Sequence, residues 1–163
     1  MKDLIVFYSL EGNTAYAANK IRERIEADLL RLVPKKAYPQ KGFAKFFWGG
    51  KSAVMAEKPE LEEYEVDLAG YDRVIFGFPV WASNFTPPIR TFIEDNRDAL
   101  QGKQFAAFAC QSGGGAEKAL PKLCKALGVE EIHPKAVFID PETKQSADTD
   151  AQIEAFCEAL RGE

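Results

Sequence analysis

The chain of 163 residues is poor in the side chains on which most catalytic and metal chemistry depends. Its one histidine is His133, and its three cysteines are Cys110, Cys124 and Cys157. The cysteines lie 14 and 33 residues apart, so there is no CxxC pair, and no zinc set of Cys and His is expected. So odd and sparse a set of thiols reads as buried small hydrophobes in a reducing cytoplasm. Long apolar runs are missing too. Leu4 to Tyr8 spans five residues, and the longer stretch Val74 to Ala82 is broken by Gly77 and Pro79. Neither is a secretory core or a membrane span, which predicts a soluble cytoplasmic protein without membrane insertion. Excess basic charge is also lacking: the net charge is −4, which disfavours nucleic acid as a partner.

What remains is an ordinary globular composition, 46% apolar and 28% charged, in a length that suits one domain over residues 1–163. No internal repeat or linker divides it. Short β-rich runs alternate with segments of helical period. Leu4-Ile5-Val6-Phe7-Tyr8 is apolar throughout, as a strand buried on both faces requires. Residues 14–27 follow as a helix with Ala17, Ala18, Ile21 and Ile25 on one face. Leu29 to Val33, Arg73 to Phe78, Phe105 to Cys110 and Ala136 to Ile139 are the later strands.

Between them, Pro87-Pro88 opens a helix bearing Ile89, Phe92, Ile93 and Leu100, with Thr86 available as its cap. Residues 116–127 form another, which Gly128 ends and which Pro121 predicts to be kinked or late in starting. The last helix starts near Asp148 or Asp150 and buries Ile153, Phe156, Cys157 and Leu160. Five strands alternating with helices argue for a parallel α/β sheet covered on both faces.

In open sheets of this kind a ligand sits beyond the carboxyl ends of the strands. The loop after the first strand is Ser9-Leu10-Glu11-Gly12-Asn13-Thr14, leading directly into a helix. Hydroxyls, an amide and a glycine at a helix start suit a phosphate, which backbone N–H groups and the helix dipole both favour. The same residues also suit an ordinary cap. After the third strand comes Pro79-Val80-Trp81-Ala82-Ser83-Asn84, where Trp81 either stacks on a planar ligand or packs into the core. After the fourth comes Gln111-Ser112-Gly113-Gly114-Gly115, whose glycines either admit a ligand close to the backbone or make a flexible loop.

With these residues in view, the sequence resembles the flavodoxin superfamily. The likeness covers nearly the whole chain in the order of its elements, and is most specific at Tyr8 to Thr14 and at Pro79-Val80-Trp81. It implies a flavodoxin-like doubly wound five-stranded parallel sheet, strand order 2-1-3-4-5, with FMN at the switch point. By that resemblance Ser9, Leu10, Glu11, Gly12, Asn13 and Thr14 wrap the FMN phosphate. Pro79, Val80, Trp81, Ala82, Ser83 and Asn84 line one edge of the isoalloxazine, and Gln111, Ser112, Gly113, Gly114 and Gly115 the other.

Three departures shape the expectations. Glu11 replaces a threonine of the family loop, and its carboxylate is expected to point outward. The 111–115 loop has no aromatic residue, so one flavin face is expected to be open or covered by another part of the chain. No glycine occurs in Ala82-Ser83-Asn84, which leaves Asn84 as the residue able to visit left-handed angles.

Competing motifs fail on their own terms. Gly49-Gly50-Lys51-Ser52 lacks the earlier P-loop glycine, since that position is Lys45. A phosphoacceptor receiver domain needs acids where Tyr8-Ser9 and Phe78-Pro79 stand. His133 reads as a surface or turn residue and Cys110 as an inert thiol. Residues 29–56 hold six basic residues and no acid, with Tyr38, Phe43, Phe46, Phe47 and Trp48 among them. That segment, richest over 35–51, is a sheet cover, a wall or lid beside the flavin, or a nucleic-acid contact.

The reading that results is an FMN-binding redox protein with no catalytic side chain and no metal. It exchanges electrons with a partner protein, docked through acidic surface, or with a small-molecule acceptor. The alternatives are an NAD(P)H-dependent reductase of quinones or similar acceptors, and a flavin-free interaction module. The oligomeric state is not set by the sequence.

Overall fold

The computed structural model describes residues 1–39 and 57–162. Among these, five strands build one parallel sheet in the order β2-β1-β3-β4-β5. The strands are β1 Asp3–Phe7, β2 Asp28–Arg31, β3 Arg73–Pro79, β4 Gln104–Gln111 and β5 Lys135–Ile139. All five residues of β1 are buried, as the run of apolar side chains at the centre of a doubly covered sheet demands. The register sets Leu4 beside Val74 and Ile5 beside Ile75, and β3 continues the ladder with Ile75 beside Ala106.

The helices are α1 Asn13–Ile25, α2 Pro87–Asp95, α3 Ala116–Leu127 and α4 Ala147–Arg161. Side chains of β1, β3 and β4 alternate between two cores. Ile5, Ile75 and Phe108 pack with Ile21 of α1 and Phe156 of α4. Leu4, Val6, Val74 and Phe76 pack with Ile89 and Phe92 of α2 and Leu123 of α3. The alternation is the two-residue period of a strand, and it places α1 and α4 on one face and α2 and α3 on the other.

Several local expectations are corrected. Thr86 occupies the cap position of α2, but its hydroxyl makes no capping bond. A side-chain cap needs the N–H of the second or third helical residue. Here Pro88 has none, and the Ile89 N–H already donates to the Thr86 carbonyl at 3.1 Å. The same helix ends at Asp95 instead of reaching Leu100, because the Asn96 amide donates back to the Phe92 carbonyl at 2.9 Å and draws the last turn closed.

Pro121 lies inside α3, which starts at Ala116 and not late. One intrahelical bond is given up there, while Leu120 and Leu123 still bury on the core side. The cap of α4 is Ser146, whose Oγ accepts from the Thr149 N–H at 3.1 Å; Asp148 and Asp150 sit in the first turn.

After β2 the chain pairs briefly with a later segment. Lys35 N–H donates to the Glu60 carbonyl at 2.9 Å and Glu62 N–H to the Val33 carbonyl at 2.7 Å. The readings of Phe43, Phe46, Phe47, Trp48 and the lysines from 41 to 51 fall outside the described residues.

Candidate functional site at the carboxyl edge of the sheet

Because all five strands are parallel, their following loops gather on one edge. A cleft of about 260 Å³ opens there, lined by Ser9, Leu10, Glu11, Asn13, Thr14, Pro79, Val80, Trp81, Ala82, Gln111, Ser112, Gly113 and Gly114, with Cys110 and Asp140. Three loops singled out in the sequence therefore share one hollow. Gly12, Ser83, Asn84 and Gly115 do not line it.

One end of the cleft is the start of α1. Gly12 precedes the helix at φ 112°, a left-handed value that glycine alone holds without strain. The Ser9 hydroxyl accepts from the Ala15 N–H at 3.1 Å and keeps its own proton to donate. The Tyr16 N–H bonds to the Gly12 carbonyl at 2.9 Å. That leaves the N–H groups of Asn13 and Thr14 without intrahelical acceptors at the positive end of the helix dipole.

Thr14 is 1% exposed, and its side chain is hydrogen-bonded to the Cys110 sulfur. Arg31 adds a cation behind the loop, donating to the Ser9 carbonyl at 3.1 Å. Glu11 is exposed and also lines the cleft.

The other end is aromatic. Trp81 packs edge-on against Tyr8 and Tyr38, with ring centroids 5.6 and 5.1 Å away, and Tyr38 meets Tyr8 at 6.1 Å. Burial, with Tyr38 beside it, raises the Tyr8 phenol above its ordinary range, so it stays protonated. Trp81 and Asn84 exchange two backbone bonds of 3.1 and 3.0 Å, closing a tight turn. Its central residues Ala82 and Ser83 stand at φ 48° and 58°. Asn84, expected to take the left-handed angles, does not. Its side-chain carbonyl accepts from the Phe85 N–H at 2.8 Å, and the strain falls instead on two residues that tolerate it less.

The turn is held from α3. Lys122 Nζ donates to the Ser83 carbonyl at 3.1 Å. Gly115 packs so close that a Cβ there would meet the Ser83 Cα at 3.1 Å and Val80 at 3.1 Å. Gly115 thus serves a close approach between loops, whereas a side chain on Gly113 or Gly114 would meet open space. Gln111 turns its side-chain carbonyl to the Ala116 N–H at 3.0 Å, starting α3.

A fourth loop, after β5, completes the edge, and the sequence reading missed it. Asp140 is 7% exposed at φ 41° and lines the cleft. Its carboxylate accepts from the Ser112 hydroxyl at 2.7 Å and pairs with Lys144 at 3.1 Å. The N–H groups of Glu142 and Thr143 donate to the Asn13 side-chain carbonyl at 2.9 and 3.2 Å. Only the Asn13 NH2 is left to face a ligand. The signal was available: in a parallel sheet the Asp140-Pro141 step at the end of β5 must reach the same edge as the other three loops.

Cys110 lies at the floor. Burial, reinforced by the Asp140 charge and opposed by the Thr14 bond, pushes its thiol up to about 12, so it is a neutral group there. Among the described residues no group of three or more His, Cys, Asp or Glu is placed to hold a metal ion. No described helix is long and apolar enough to cross a membrane.

Residues 2–159 match the family model described as Flavodoxin. The fold is also similar to that of solved structures. A flavoprotein from Lactobacillus acidophilus, crystallised in complex with FMN, is 19% identical with a TM-score of 0.73, over 95% of this chain and 97% of that one. A Bacteroides uniformis protein described as a flavoprotein is 23% identical with a TM-score of 0.74, over 94% of this chain and 97% of its own. One from Bacteroides eggerthii is 21% identical with a TM-score of 0.74, covering 98% of both chains.

Proposed function

This chain belongs to the flavodoxin family, and from that premise we propose that it binds FMN at the carboxyl edge of its sheet and passes electrons through it. The observation that carries the reading is the cleft itself. It joins an anion-seeking helix start at one end to a tryptophan at the other, within reach of three loops from adjacent strands. A phosphorylated, planar, apolar-ringed molecule matches that sequence of surroundings.

The residues present fit the group. The N–H groups of Asn13 and Thr14, the Ser9 hydroxyl and the Asn13 NH2 are donors gathered at one helix end, which is what a phosphate requires. Glu11 at the rim and Asp140 in the wall oppose its second negative charge, while Arg31 behind the loop offsets part of that opposition. Trp81, fixed by Tyr8 and Tyr38, offers the ring an aromatic neighbour. The Ser112–Gly114 loop offers no stacking side chain, so the site leaves access to a reactant from that side.

FMN supplies the electron and hydride chemistry when bound; the chain binds it, orients it and sets its electrostatics. A neutral Cys110 thiol and a protonated Tyr8 keep those surroundings free of added negative charge.

The second reading, an FMN-dependent reductase using NAD(P)H, is favoured by the same bare loop at Ser112–Gly114. Two experiments test the pair. Purified protein stripped of ligand is expected to bind FMN at least tenfold more tightly than riboflavin, and equal binding removes the phosphate assignment. Anaerobic titration of the FMN form with dithionite, NADH and NADPH then separates the roles. Reduction in two resolved one-electron steps with no response to either nucleotide supports the carrier, and rapid bleaching by a nucleotide supports the reductase.

A further inference from the structure

The charge around the cleft is not evenly spread. Near the start of α1 the rim carries Glu11, with Glu142 in contact with Gly12, whereas Asp140 lies against Ser112 and is neutralised by Lys144. At the opposite side stands α3, and on it Lys118, Lys122 and Lys125 recur at intervals of four and three residues. That spacing sets them in one stripe along a helix. All three are exposed, and among the described residues none of them is paired with a carboxylate.

The stripe begins at the cleft. Lys122 reaches the Ser83 carbonyl, one residue from Ala82 in the cleft wall. Lys118 is one turn nearer the start of α3, which the Ser112–Gly114 loop leads into. Two acids adjoin that loop and both are engaged: Glu117 by the Gly115 N–H at 3.2 Å, and Asp140 by the Ser112 hydroxyl at 2.7 Å and by Lys144 at 3.1 Å. A molecule with a net charge of −4 thus presents, among the described residues, cations without carboxylate partners beside the loop that has no stacking side chain.

We propose that Ser112–Gly114, Lys118 and Lys122 form the landing site for a small polyanionic redox reactant, of the size and charge of a diphosphate ester. The inference rests on the FMN reading and names the reactant that the bound flavin meets. Size argues for a small molecule: Lys118 and Lys122 are about 6 Å apart along the helix axis. That span suits two neighbouring anionic groups, whereas a protein partner would need roughly 800 Å² of surface. Charge argues for an anion, because a cation would be repelled where it must approach.

The test uses the FMN-loaded protein, reduced anaerobically and mixed with ferricyanide, a trianion, or with neutral benzoquinone. Two ferricyanide ions each take one electron from the reduced flavin and leave as ferrocyanide, and the flavin's protons pass to solvent. Lys118→Glu is the informative variant, since it reverses one charge of the stripe and, four residues before Lys122, engages that lysine as well. At low salt it is expected to slow ferricyanide about tenfold and to leave benzoquinone unchanged, the scale of local electrostatic steering.

Inorganic pyrophosphate supplies a readout independent of turnover. It is expected to shift the backbone amide resonances of Ser112–Gly114 and Lys118 in wild type and not in Lys118→Glu, and to compete with ferricyanide alone. Equal rates for wild type and variant with ferricyanide, or equal slowing of both oxidants, overturn the landing site while the flavin reading stands. A protein that takes up no FMN fails before the mixing step and overturns the reading on which the proposal rests.

Discussion

The two edges of the sheet are built to opposite standards. Where the strands begin, Arg73 is 6% exposed, and its guanidinium grips the Asp3 carboxylate through two bonds of 2.8 and 2.7 Å. Its remaining arm donates to the Leu160 carbonyl at 2.9 Å, fastening the end of α4 to β1 and β3. Both charges of that pair are satisfied from within the chain. Where the strands end, Ala82, Ser83 and Asp140 stand at left-handed angles, and two N–H groups at the start of α1 wait for an acceptor. One edge is closed by its own side chains, and the other carries the groups that the proposed function assigns to recognition. Strained backbone of this kind persists only when its surroundings hold it in place.

The largest effect tests the first edge. Asp3→Asn leaves the Arg73 charge buried without its counter-ion, which costs about 3–5 kcal/mol in comparable sites. Thermal unfolding is expected to move down strongly, while the fraction that remains folded binds FMN as before. A loss of FMN affinity in the folded fraction, at temperatures well below the transition, would show that the two edges are coupled.

Next comes the phosphate end. Thr14→Ala is expected to weaken FMN by about 1.5–3 kcal/mol, the worth of a hydrogen bond to a charged group, and riboflavin by much less. The structure sharpens the measurement, because the Thr14 side chain is already bonded to the Cys110 sulfur. If the hydroxyl serves only that bond, unfolding will show the loss and the two ligands will weaken alike.

The same contrast explains how far the sequence could be read. The interior strands were legible because burial on both faces writes itself as unbroken apolar runs, and Ile5, Ile75 and Phe108 appear in such runs. The cleft loops were legible because a helix start, a tryptophan and three glycines are local signals. What was not legible depends on contacts between distant segments. Asp140 matters through Ser112, and Asn13 through Glu142 and Thr143.

Asn84 has the better propensity for left-handed angles, but the two backbone bonds with Trp81 put Ala82 and Ser83 at the centre of the turn. Lys118, Lys122 and Lys125 were passed over because their meaning comes from helical spacing beside a loop, not from a run of basic residues. Propensity describes a residue alone, whereas these positions are decided by their neighbours.

A smaller effect follows at that turn. Ala82→Gly relieves a left-handed residue of its Cβ penalty, about 1–2 kcal/mol, and returns part of it through the freer unfolded chain. The expected net is a stabilisation of about 1 kcal/mol in denaturant unfolding. FMN affinity is expected to fall slightly, since a turn that no longer resists other conformations holds Trp81 less firmly. Higher stability with tighter FMN binding would mean that the strain serves no purpose at this edge.

The smallest effect reads the floor of the cleft through pH. The Cys110 thiol is pushed up to about 12 in the folded protein by burial, against about 8.5–9 in an unfolded chain. Between those values the unfolded chain loses a proton that the folded one keeps, so folding stability falls as pH rises. The stabilising difference is fully present below about pH 8 and is lost progressively through the folded value. At pH 9 the loss amounts to less than about 1 kcal/mol. Cys157, pushed up to about 11 chiefly by burial, adds a decline of the same sign. Cys110→Ala is therefore expected to flatten the alkaline limb of the stability profile by the Cys110 share alone, with the Cys157 share persisting. Denaturant unfolding at pH 7, 8 and 9 measures it. An unchanged alkaline slope in the variant would mean that the thiol beneath the cleft ionises in place, in which case a negative charge would sit against Thr14 and oppose any phosphate held at the start of α1.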